Sequence, residues 1–119
     1  MKLTIFSIFV IFCAYLYAAK AADGVYEIID GDCNSALARD QVYHEHVHKT
    51  RLPLVSREAK SSWTGSQRIY CLKVLNDKDE SKGATCKVTA GGVGSTNVTI
   101  EMNSAKNHGL EFDIQIYAR

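Results

Sequence analysis

The chain has 119 residues, with 14 Lys and Arg against 13 Asp and Glu, and a formal net charge of +1. That length suits one small domain with a single core. There is no Lys/Arg block, and aromatics are not interleaved with basic residues, so the chain lacks the electrostatic footprint needed to track a phosphate backbone. Direct nucleic-acid binding is not expected.

Residues 1–21 read as a signal peptide. Lys2 gives a short positive start, and Leu3 to Leu16 is apolar apart from Thr4 and Ser7. Ala19-Lys20-Ala21 then offers small residues where a secretory peptidase cuts. The apolar run is shorter than the roughly 20 residues that cross a bilayer, which favours a cleaved leader over an anchor. Losing Lys2 and Lys20 leaves twelve basic residues against thirteen acidic, a net charge of −1. The expectation is a secreted chain with a single β domain over residues 22–119 and no membrane association after cleavage.

Val25 to Ile29 reads as a first edge strand, ended by Asp30-Gly31-Asp32. Asn34 to Asp40 has helical leanings but is too short to stand as a helix. Gln41 to Lys49 is strand-like, and so is Leu52 to Ser56, where Pro53 demotes the start to an edge or a bulge. Lys60 to Gln67 carries Trp63 beside a Thr64-Gly65-Ser66 turn. In Arg68 to Leu75 the alternation puts Tyr70, Leu72 and Val74 on one face and Cys71 and Lys73 on the other. Asn76 to Gly83 is a charged loop, Ala84 to Ala90 a further strand, and Gly91, Gly92 and Gly94 mark a flexible turn.

The clearest pattern comes last. Val98, Ile100 and Met102 alternate with polar neighbours, as do Leu110, Phe112, Ile114 and Ile116, around a turn at Asn107-His108-Gly109. Period-two patterning of this length marks half-buried strands. Residues 91–119 are therefore predicted to form a β-hairpin with Glu101, Glu111 and Asp113 exposed. The whole reads as all-β: a small antiparallel β-sandwich or partly closed barrel of six to seven short strands.

Cys13 falls in the leader, which leaves Cys33, Cys71 and Cys86, an odd number that allows at most one internal disulfide. The strands 68–75 and 84–90 are consecutive, so antiparallel pairing is the default. A register with Cys71 opposite Cys86 centres the turn between Lys78 and Asp79. It brings the Cα atoms to about 4.5 Å, within disulfide range. The predicted bridge is Cys71–Cys86, with Cys33 free or available for a disulfide-linked dimer.

His44, His46 and His48 form H-x-H-x-H on a predicted strand, which lines three imidazoles along one face at about 7 Å spacing. Two could chelate Zn²⁺ or Cu²⁺, and three could respond to mild acid. The alternative is an exposed face on which histidine is merely tolerated, since the sequence locates no fourth ligand or supporting carboxylate. His108 sits in a turn and reads as structural. Asn97-Val98-Thr99 is a glycosylation sequon whose Asn97 points away from the core. Gly91-Gly92-Val93-Gly94 does not read as a phosphate loop, because a strand and not a helix follows. No nucleophile elbow or paired carboxylates stand out, so neither an enzymatic activity nor a cofactor is expected.

Gly91-Gly92-Val93-Gly94, the Asn97-Val98-Thr99-Ile100 strand, the Asn107-His108-Gly109 turn and the closing Ile116-Tyr117-Ala118-Arg119 together resemble the C-terminal signature of an insect family. This is the multiprotein bridging factor two family, which takes in proteins labelled probable salivary secreted peptides. Ala118 stands where glycine is common. The resemblance is sharp over residues 91–119 and loose over 68–90. It implies a transcriptional coactivator that bridges a DNA-bound nuclear-receptor-type activator to the general transcription machinery, and so a nuclear location. It also implies, for many members, an extracellular protein of saliva, venom or haemolymph. Both fit a non-enzymatic protein-binding module.

Overall fold

A computed structural model describes residues 24–119. The predicted signal segment at 1–21 lies outside them. Among the described residues, seven antiparallel strands form two sheets: β1 (Ile28–Gly31), β2 (Gln41–Lys49), β3 (Glu58–Thr64), β4 (Ile69–Asn76), β5 (Thr85–Gly91), β6 (Asn97–Asn103) and β7 (Leu110–Ala118). The four-stranded sheet runs β1-β4-β7-β2 and the three-stranded sheet β3-β6-β5. The protein is a sandwich and not a closed barrel. The helical leaning near Asn34 survives only as a 3₁₀ turn at Ala38–Asp40.

The inward residues are those the alternation picks out. Val98, Ile100 and Met102 from β6 meet Leu72 and Val74 from β4 and Leu110, Phe112, Ile114 and Ile116 from β7 in one buried cluster. Each large side chain so removed from water contributes about 1.5–3 kcal/mol. Tyr43, Val47, Ala59 and Trp63 pack against its margin. Glu101, Glu111 and Asp113 are only partly exposed, because neighbouring strands flank each of them.

The predicted C-terminal hairpin does not form. β6 pairs with β3 and β5, whereas β7 pairs with β2 and β4 in the other sheet. Residues 104–109 therefore cross between sheets. Their chemistry is as expected of a turn, with Asn107 at φ 71°. Gly109 sits where a Cβ would lie 2.3 Å from the Lys49 carbonyl oxygen. Two strands that face one another across a core show the same alternation as two strands side by side, so the pattern identifies the buried face and not the neighbour.

A second crossing, at residues 77–84 between β4 and β5, overturns the predicted Cys71–Cys86 bridge. β4 and β5 belong to different sheets, and Cys86 lies opposite Met102 of β6 with its side chain in the core. Cys71 instead lies opposite Gly31 of β1. A bulge between Ile69 and Cys71 breaks the simple alternation of β4. The disulfide joins Cys33 to Cys71, with an S–S distance of 2.02 Å, and Cys86 is the buried free thiol. Cys33 is thus consumed within the chain, which removes the predicted route to a dimer.

Leu52 to Ser56 is a loop and not a strand. Leu54 takes φ 67°, off the extended path. Asn107 holds it there: the Leu54 N–H donates to Asn107 Oδ1 at 2.5 Å, and the Asn107 N–H donates to the Val55 carbonyl at 3.0 Å.

Candidate functional site

β2 is an edge strand whose residues alternate from Tyr43 onward. Tyr43, Glu45 and Val47 turn towards the sandwich, and His44, His46 and His48 are exposed on the outer face. The inward Glu45 is not an isolated charge. Tyr43 OH donates to its Oε1 at 2.8 Å, and the Ser61 hydroxyl donates to the same oxygen.

The outer face is organised by the register with β7. His46 lies opposite Asp113 and His48 opposite Glu111, so the side chains meet on the diagonal. His44 Nε2 is 2.7 Å from Asp113 Oδ1, and His46 Nε2 is 2.8 Å from Glu111 Oε2. His46 Nδ1 faces Asp77 Oδ2 at 3.6 Å and Asp113 Oδ1 at 3.7 Å. Asp77, just past the end of β4, is tied in by its N–H, which donates to the Glu111 carbonyl at 2.9 Å. Partial burial acts to raise the Asp113 carboxyl. Hydrogen bonds from Gln115 and His44, and the adjoining His44 and His46, outweigh it and hold Asp113 below its ordinary value.

The three histidines therefore share a face, as expected, but do not share a site. His46, Asp77 and Glu111 bring one ligand atom each to within 4.8 Å of one another, an arrangement that could hold a divalent cation. The sequence hides this because Asp77 and Glu111 lie 31 and 65 residues beyond His46, and only the strand register brings them together. His48 instead belongs to the rim of a cavity at the end of β2.

Beyond the carboxylates, the same sheet face turns aromatic and basic. Arg119 stacks over Tyr70 at 4.3 Å from the ring centroid, Lys73 lies 5.7 Å from the Tyr117 centroid, and the two rings are 6.4 Å apart. Tyr70 OH donates to Asp40 Oδ2 at 2.7 Å, which ties this cluster to the segment after the disulfide. On the other sheet, Asn97 is exposed at the start of β6, and Thr99 of its sequon accepts a hydrogen bond from the Ser62 hydroxyl at 3.2 Å.

No solved structure matches the chain. Over 59 residues, half its length, it is 42% identical to a protein of Bombus ignitus described as a probable salivary secreted peptide. That alignment spans 42% of the relative's own length, so less than half of the relative is compared. The profile of the family described as Transcription activator MBF2 matches residues 20–118, and the chain belongs to that family.

Proposed function

We propose that this chain is a non-enzymatic protein-binding module that acts outside the cell. The observation that carries the reading is the Cys33–Cys71 disulfide, since such bridges persist in oxidising compartments and are rare in the cytosol and nucleus. The apolar leader and the likeness to a salivary secreted peptide support it. The binding surface is the outer face of the four-stranded sheet, where Tyr70, Tyr117 and Arg119 supply residue types enriched at protein interfaces. Asn97 is exposed and offers a glycan acceptor on the opposite sheet, clear of that face. N-terminal sequencing of the native protein tests the compartment: a start at Ala22 or Asp23 is expected, and an intact Met1 would overturn it.

The family description, a transcription activator, supports a second reading: we propose, as its finer form, a nuclear coactivator that bridges a DNA-bound, nuclear-receptor-type activator to the general transcription machinery. It uses the same protein-binding face and needs no DNA contact. In that compartment Cys33 and Cys71 would be reduced, which separates the two readings experimentally. A metal-binding role of the outer face is a subsidiary proposal. It is supported by the His46, Asp77 and Glu111 grouping in place of the plain His44, His46, His48 row.

A further inference from the structure

A cavity of about 260 Å³ opens where β2 ends, and its walls are almost uniformly basic. His48, Lys49 and Arg51 come from β2 and the residues after it, Lys78 and Lys82 from the β4–β5 connection, and His108 from the β6–β7 connection. No carboxylate lines it. Among the described residues, none of Lys49, Arg51, Lys78 and Lys82 forms a salt bridge with a carboxylate. Four permanent cations gathered around one concavity repel each other, and an anion seated between them reverses that repulsion.

The walls are held in place by the backbone. Arg51 Nε donates to the Asn107 carbonyl at 3.1 Å, which anchors the guanidinium and leaves its terminal nitrogens unassigned. Tyr26 OH donates to the Lys78 carbonyl at 2.6 Å, and the Lys82 N–H donates to the Asp79 carbonyl at 3.0 Å, fixing the other wall. The Gly109 backbone packs directly against that of Lys49 to Arg51. The basic groups are thus brought together by the fold and are not a loose surface scatter.

We infer that this cavity is a binding site for a single sulfate or phosphate group, as the free ion or as an ester. Arginine and lysine match tetrahedral oxyanions through charge-assisted hydrogen bonds. The volume lies below the roughly 300–1,000 Å³ of pockets that enclose drug-sized ligands, so it suits one compact anionic group and not an extended one. Asp77 and Glu111 stand beside His46, two residues from His48, and oppose a polyanion running on from the cavity along the sheet. A long phosphate backbone is therefore disfavoured and a single compact anionic group favoured. The site does not depend on which compartment the protein occupies.

The test is equilibrium binding of the purified, disulfide-intact chain to inorganic phosphate, inorganic sulfate and a sulfated disaccharide, with a single-stranded oligonucleotide as contrast. Saturable binding of at least one of the first three at a single site is expected, weakening as salt rises. Preference for the disaccharide identifies a sulfated glycan as the source, and preference for inorganic phosphate a free phosphate. The double variant Lys78→Ala with Lys82→Ala lies in a surface connection and should melt as wild type while binding about ten-fold or more weakly. Lys60→Ala, on β3 away from the cavity, should bind as wild type. Absence of saturable binding to all three, equal loss in Lys60→Ala, an undiminished double variant, or tighter binding of the oligonucleotide than of any small anion would each overturn the inference.

Discussion

Cys86 is 1% exposed, and burial pushes its thiol from the ordinary 9.0 up to about 12, with Glu27 adding to the effect. The folded protein thus keeps the thiol protonated where the unfolded chain ionises it. The stability linked to this group is fully present below about pH 9 and is lost as pH rises from there towards about 12. Urea titrations at pH 8 and pH 10 should show a fall that Cys86→Ala reduces; an equally steep fall in the variant would contradict the assignment. A second residue-scale expectation concerns His46. Saturating Zn²⁺ should raise the melting temperature, His46→Ala or Glu111→Gln should abolish the rise, and His48→Ala should retain it. If His48→Ala abolishes the rise while Glu111→Gln retains it, the histidine row and not the mixed grouping binds metal.

At the scale of elements, β7 is the strand on which both faces of the four-stranded sheet depend. It is central, between β4 and β2, and its outward Glu111 and Asp113 build the histidine–carboxylate face while its inward residues fill the core. Ile114 is fully buried and lies opposite Glu45 on one side and Val74 on the other. Ile114→Asp adds an unpaired charge beside an existing carboxylate, costing several kcal/mol against a total stability of about 5–15. The variant should be unfolded by circular dichroism at 25 °C, and a wild-type melt would show the strand's facing to be wrong. The alternation of Leu110 to Ile116 made that facing readable from sequence, and it made the H-x-H-x-H row readable in the same way. Sheet membership was not readable, because the six residues from 104 to 109 serve equally as a hairpin loop or a crossing. The same ambiguity at residues 77–84 hid that Cys71 and Cys86 lie in different sheets, and the unreadable β2–β7 pairing hid the carboxylates near His46. The basic cavity was invisible because Arg51, Lys78 and His108 come from three separate connections.

At the scale of the whole molecule, the disulfide ties the segment just after β1 to β4. It closes a separation of 38 residues, for which the chain-entropy model gives about 4 kcal/mol. The Cys33→Ser, Cys71→Ser variant should lose about that much in denaturant unfolding, and a loss near zero would show that the staple is dispensable. The most direct test of the extracellular reading is non-reducing peptide mapping of the native protein, with thiol labelling before and after unfolding. The expected result is one peptide pair linked through Cys33 and Cys71, and Cys86 labelled only after unfolding. Three reduced thiols in the native protein, or a link from Cys86 to either partner, would contradict it.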